Sequence, residues 1–290
     1  MGFNRQFAGK NVSLMKSDPL FPLLEYDIRK GLVFPAVRDG TLYFYHGGGV
    51  LFQFKGTMFR RNPHYDDKGT RKKSGFVSER NYGGVKFIDS YEEFKCRNRK
   101  HFEKNDGSGS NERQYLDKFY GDTYRGKTFP EICVLDIEVN FNSDSQKKCD
   151  MVLFNSVEQE LMFVEGKLFR DGRMSCGIKD RTPEVINQVN EYSGIISKNV
   201  DTIKDQYMNH LSIMSQLFFD FTWNGNLRII PGAKLLVYET PTDEEIKTKS
   251  AYRARRNLKK KVENAEIAAL WVPASKSGDY SLKKIWNHFR

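Results

Sequence analysis

Asp150, Glu165 and Lys167 are the residues of this sequence whose types and spacing can do chemistry together. Asp150 opens one apolar run, Met151-Val-Leu-Phe154. Glu165 and Lys167 close a second, Leu161-Met-Phe-Val164, beyond the polar connector Ser156-Val-Glu-Gln-Glu160. Two short Val-, Leu- and Phe-rich runs around a polar connector predict a hairpin of two strands. Side chains alternate faces along a strand, so Glu165 and Lys167 share one face and Gly166 points the other way. Asp150 shares a face with Val152 and Phe154 at the end of its own strand. The hairpin is thus expected to hold two carboxylates and an ammonium at one rim of a sheet.

Two carboxylates held close together repel unless a cation lies between them. Hard oxygen ligands suit Mg²⁺ or Mn²⁺, which binds a phosphate oxygen and lowers the pKa of a bound water. A lysine two residues beyond the glutamate is placed to orient that water or to meet charge developing on phosphorus. The same residues also fit a surface hairpin whose Glu and Lys face solvent, since E-x-K is a common tripeptide. Placement separates the two: Asp at a strand start, E-x-K at the end of the next strand, then a helix signal.

At these residues the chain resembles the PD-(D/E)xK nuclease superfamily, whose core is a helix, three antiparallel strands, a helix and a further strand. Asp150 matches the motif's aspartate, Glu165 its acidic residue and Lys167 its lysine, while Cys149 stands where proline is usual. The resemblance covers about residues 111–238. It implies an α/β fold with a restriction-endonuclease-like αβββαβ core and a mixed sheet. It also implies a Mg²⁺- or Mn²⁺-dependent nuclease hydrolysing phosphodiester bonds in DNA, with Asp150, Glu165 and the Gly166 carbonyl on the metal and Lys167 on the attacking water.

Two further features join it. Thr182 as cap, Pro183 at the first position and Glu184 next predict a helix start. On that helix Gln188 and Tyr192 lie four apart and so on one face, beside Val185, Val189 and Ile196. This Q-x-x-x-Y after E-x-K resembles the RecB-like exonuclease branch, and implies hydrogen bonds that position the substrate backbone. Upstream, residues 111–120 predict a helix capped by Ser110 or Asn111 and stopped by Gly121. Glu112 heads its apolar stripe with Leu116 and Phe119, and the Gly109-Ser-Asn-Glu-Arg113 opening resembles archaeal Holliday-junction resolvases, where that glutamate joins the metal site. A first-turn glutamate is also favoured by the helix dipole alone. Glu138, on the alternating strand Ile132-Cys-Val-Leu-Asp-Ile-Glu-Val139, is the rival third carboxylate.

Lys+Arg 47 against Asp+Glu 37 gives a net charge of +10 and a pI of 9.3, an excess suited to a polyanion such as nucleic acid. Arg170 and Arg173, just beyond the hairpin, are placed to approach phosphates. Arg253, Arg255, Arg256, Lys259 and Lys260, on a basic helix over residues 247–261, form a second candidate surface. The basic and aromatic stretch 59–104 fits either nucleic-acid contacts or a solvated loop face. Cys96, Cys133, Cys149 and Cys176 contain no C-x-x-C pair, which argues against zinc and for reduced thiols.

Thr41-Leu-Tyr-Phe-Tyr45, His46-Gly-Gly-Gly49 and Val50-Leu-Phe-Gln-Phe54 predict a hairpin, its glycines permitting positive φ. A lipase-like oxyanion loop would need a downstream G-x-S-x-G, which the sequence lacks. Residues 1–104 are therefore expected to be a β-rich N-terminal region, and Asn105-Asp-Gly-Ser-Gly-Ser110 a linker to a nuclease-like domain over 111–290. The stripe Val200, Ile203, Tyr207, Leu211, Met214, Phe218 predicts a packing helix with His210 structural. Residues 226–230, 234–239 and 267–273 predict later strands. No run approaches the about 18 apolar residues of a membrane span, and the opening Met1-Gly-Phe-Asn-Arg-Gln6 lacks a secretory core and a myristoylation signal, so a cytoplasmic protein with no membrane partner is expected. The resemblance implies a homodimer, as in many relatives, and a place in defence or repair complexes. The alternatives from the residues are a nucleic-acid binder that keeps the fold without activity, and a basic structural or assembly partner.

Overall fold

The computed structural model of the chain describes residues 3–63, 75–83, 85–104, 119–121, 129–141, 148–174, 182–218, 225–240, 249–273 and 280–290. These residues make an α/β protein with two sheets, divided into two units. One holds residues 3–130 with 205–225, the other 131–204 with 226–290.

In the first unit, α1 (Gly9–Lys16) and α2 (Phe21–Arg29) precede a five-stranded meander: β1 (Phe34–Arg38), β2 (Thr41–His46), β3 (Gly49–Lys55), β4 (Met58–Arg61) and β5 (Val77–Ser78). All its pairings are antiparallel. The β2–β3 turn is the glycine pair expected from the sequence: Gly47 and Gly48 take φ of 57° and 85°, the sign a two-residue hairpin turn demands. Against the sheet lies α3 (Tyr91–Lys104), within the stretch 59–104 that fitted either nucleic-acid contacts or a solvated loop face. Phe94 of α3 packs edge-on to Phe52. Two basic residues of that stretch are consumed inside. Arg61 is fully buried, its guanidinium 4.3 Å from the Phe94 ring centre and bonded to the Leu51 carbonyl at 2.9 Å. Lys95 meets Asp27 at 2.6 Å, and the Tyr91 hydroxyl donates to the same carboxylate at 2.8 Å.

The second unit is built on β6 (Ile132–Val139), β7 (Cys149–Asn155) and β8 (Glu160–Leu168), an antiparallel meander. α4 (Glu184–Lys198) and α5 (Val200–Leu217) follow, then β9 (Arg228–Ile229) and β10 (Lys234–Thr240), both parallel to β8. α6 (Lys249–Asn264) leads to β11 (Ala269–Pro273), parallel to β10, and α7 (Leu282–Phe289) closes the chain. The sheet order is β11-β10-β8-β7-β6, with β9 alongside the start of β8. β9 and β10 lie along the same edge of β8 and are separated by Pro231-Gly232, a residue without an N–H followed by one at φ 71°. Both neighbours of β8 are strands and all nine of its residues are buried. That burial sets the chemistry of Glu165 and Lys167.

One expectation is corrected, and two features lie outside the sequence reading. α4 begins at Glu184: Pro183, at ψ 139°, is still extended and stands at the cap with no side-chain bond, so Thr182 is not the cap. The second half of the α5 stripe packs in the first unit, where Tyr207 meets Phe3 at 5.5 Å and Phe218 stacks on Phe21 at 5.9 Å. α7 has no counterpart in the sequence reading; Ser281 caps it by accepting from the Lys284 N–H. The expected linker, the helix over 111–118 and Glu112 lie outside the described residues. Among the described residues no helix is long and apolar enough to cross a membrane.

Candidate active site

The register of β7 on β8 pairs Met151 with Val164 and Val152 with Phe163. One step further along the pair, Asp150 comes beside Glu165, and both lie on the face of Val152 and Phe163. The contacts follow. The Gly166 N–H donates to Asp150 Oδ2 at 2.7 Å. Lys167 Nζ stands 2.5 Å from Glu165 Oε1 and 3.5 Å from Asp150 Oδ2, and donates to the Gly166 carbonyl at 2.7 Å. Glu165 and Lys167 are closed from solvent, whereas the Asp150 side chain keeps 16% of its surface. Asp150 is therefore the side on which the cluster meets water.

Two acids and one ammonium carry a net negative charge in a place of low polarity. Burial pushes the Asp150 carboxyl up, against the pull of the Lys167 ammonium, the Gly166 N–H and the Arg173 guanidinium. Cys149, next in sequence, is held as a neutral thiol: burial raises it far above the usual range, and Glu165 and Asp150 raise it further. Its Sγ donates to the Val164 carbonyl at 3.4 Å. That protonation removes it as a nucleophile at neutral pH.

α4 covers this face. Tyr192 packs on Phe141 at 5.9 Å between ring centres, and Phe141 packs on Phe163 of β8 at 5.4 Å. Gln188 and Tyr192 are both buried, and the Gln188 amide donates to the Tyr192 hydroxyl at 2.8 Å. Burial and then the Glu165 charge push the Tyr192 hydroxyl up, opposed by the Gln188 bond, so it stays protonated as a donor. The Gln188 carbonyl oxygen is buried with no hydrogen-bond partner among the described residues. The two residues that the sequence placed on one helical face do share it, and it is turned to the carboxylates.

Other expected residues lie elsewhere. Glu138, at φ 47°, sends its carboxylate to Lys148 at 3.2 Å rather than to the cluster. Arg170 pairs with Glu239 at 3.4 Å, whereas Arg173 is gripped by Asp171 at 2.6 Å. On α6, Leu258 and Val262 are buried, Arg256 and Lys260 are exposed, and Arg255 and Lys259 are intermediate. Lys259 lies 5.2 Å from the Trp271 ring centre, and burial followed by the Arg255 charge lowers its pKa. The side chain of Arg253 lies outside the described set. The sequence reading gave no role of its own to Asp136, fully buried on β6 and opposite Val152, or to Asp171. The Asp171-Gly172 turn dipeptide was the signal for the second.

Among the described residues no group of three or more His, Cys, Asp and Glu stands ready to hold a metal ion. The donor set nevertheless fits a hard divalent cation, because two carboxylates face one point. The Lys167 ammonium occupies that point as a built-in cation. Comparison with family models, with curated proteins and with solved structures gives no match.

Proposed function

We propose that the chain is a divalent-metal-dependent nuclease, hydrolysing phosphodiester bonds of cytoplasmic DNA on a restriction-endonuclease-like αβββαβ core. The observation that carries this reading is the Lys167 ammonium standing within 3.5 Å of both the Asp150 and the Glu165 carboxylates under a helix bearing Gln188 and Tyr192. The three-strand meander followed by a helix and a parallel strand supports it as well, being the element order that the resemblance implies. A Mg²⁺ or Mn²⁺ ion would be held by Asp150, Glu165 and the Gly166 carbonyl, with Glu112 as the remaining candidate for a third acid, and would supply charge neutralisation at the phosphate. Lys167 orients a water for attack on phosphorus and meets the charge that develops there. Gln188 and Tyr192, both amide and hydroxyl donors, fix the backbone of the strand to be cut. Arg170, Arg173 and the basic face of α6 hold flanking phosphates.

The test is a cleavage panel of linear, circular and single-stranded DNA and of RNA, each with Mg²⁺, Mn²⁺ or EDTA. Metal-dependent loss of DNA substrate is the expected result; no cleavage under any condition overturns the reading. One observation favours a second reading, DNA binding without hydrolysis: the Lys167 ammonium already bridges both acids and offsets one of their two charges without any metal. Tight, salt-sensitive DNA retention with no heat of Mg²⁺ binding would select it.

A further inference from the structure

Beyond β8 the backbone makes two tight turns in succession. The Asp171 N–H donates to the Leu168 carbonyl, and the Met174 N–H to the Asp171 carbonyl, both at 2.9 Å. Met174 is buried and pins the second turn. Asp171 and Arg173 are thereby kept at the end of the strand that carries Lys167. Asp171 Oδ1 accepts from the Arg173 backbone N–H at 2.8 Å and from its Nε at 3.0 Å, while Oδ2 accepts from Nη2 at 2.6 Å. A carboxylate bonded to both Nε and Nη2 fixes the plane of a guanidinium, which otherwise costs rotamer entropy to hold. The Arg173 side chain keeps 39% of its surface. Its charge reaches Asp150, and that of Lys167 reaches Asp171. Arg173 and Arg170 therefore differ: Arg170 is drawn to Glu239 of β10, and Arg173 is held by Asp171 just past the end of the strand that carries Lys167.

A phosphodiester approaching Asp150 brings a negative charge to a carboxylate and needs a cation at the point of entry. A planar, pre-set guanidinium matches a phosphate's oxygens better than any other side chain. We propose that Arg173 binds the DNA phosphate that enters beside Asp150, and that Asp171 is the positioning residue that presents it. This deepens the nuclease reading and rests on it.

The experiment is fluorescence anisotropy of a labelled DNA duplex over a series of salt concentrations, in EDTA so that nothing is cut. Arg173→Gln is expected to weaken binding about tenfold and to reduce the slope of log K against log salt by about 0.9. Arg173→Lys is expected to recover the slope but only part of the affinity. Asp171→Asn decides between positioning and bulk charge. It removes a negative charge, so charge alone predicts tighter DNA binding, whereas loss of the grip on Arg173 predicts weaker binding, by about threefold to tenfold. Tighter or unchanged binding by Asp171→Asn, an Arg173→Gln slope equal to wild type, or no DNA binding by the wild type overturns the inference. Cleavage of the same duplex by wild type in Mg²⁺ is read separately. Binding that obeys these expectations without cleavage removes the nuclease reading and leaves the phosphate contact standing.

Discussion

At the residue scale the decisive fact is that Lys167 holds two acids together from within. Removing one partner of a buried ion pair costs far more than the pair contributes, because the remaining charge is left buried without compensation. Lys167→Met leaves Glu165, fully buried, and Asp150 facing each other. In EDTA its urea unfolding is expected to show a loss of about 3 kcal/mol or more, and Mg²⁺ to restore more stability to the variant than to wild type by binding the folded state. An unchanged midpoint would mean that the ammonium is dispensable. In the other unit, His46 donates from Nδ1 to the Leu32 carbonyl at 2.7 Å, and its Nε2 is buried with no partner among the described residues. Burial lowers its pKa, partly offset by that bond. The folded value lies below the unfolded one, so the stability it contributes is full above the ordinary value of 6.5 and is lost as pH falls through the depressed folded value. Wild type is expected to lose up to about 1.4 kcal/mol per pH unit more than His46→Gln in that window, measured by urea midpoints. Parallel pH profiles would contradict it.

The hairpin was legible at the element scale because both its runs carry strand residues and its polar connector could only be a turn. Alternation within each run put Glu165 with Lys167, and Asp150 with Val152, on shared faces; the register that brings Asp150 beside Glu165 is seen only in the structure. The depth of that face was not legible: an E-x-K looks the same on a surface hairpin and on β8, and its burial comes from β7 and β10 on either side together with Phe141, packed on Phe163, and Tyr192 of α4, packed on Phe141. The helix over Tyr91–Lys104 was hidden for a related reason. Its basic residues read as a nucleic-acid surface or a solvated loop face, while Phe94 and Lys95 are drawn inward by an aromatic core and by Asp27. α6 shows what such a helix can give up. Leu258 and Val262 anchor it, so replacing Arg255, Arg256 and Lys260 together by Gln should leave the melting temperature nearly unchanged. The same triple replacement should reduce the salt slope of DNA binding by about 2 to 3 units. A slope equal to wild type would remove α6 from the DNA surface.

For the whole molecule, a net charge of +10 suits long-range attraction of a polyanion but says nothing of which residues touch it. The division into units shows a second limit of sequence reading. The stripe of α5 identifies a buried face, yet periodicity does not name the core that buries it, and Tyr207 through Phe218 pack with Phe3 and Phe21. The proposed chemistry falls in the unit of residues 131–204 and 226–290, around Glu165, a carboxylate closed from solvent. Cleavage of DNA by wild type and by Glu165→Gln, side by side in Mg²⁺ and with circular dichroism as the check on folding, tests that chemistry most directly. Wild type is expected to cut only with the metal, and the folded variant to cut about a hundredfold to a thousandfold more slowly. A folded Glu165→Gln protein that cuts at the wild-type rate would contradict the assignment.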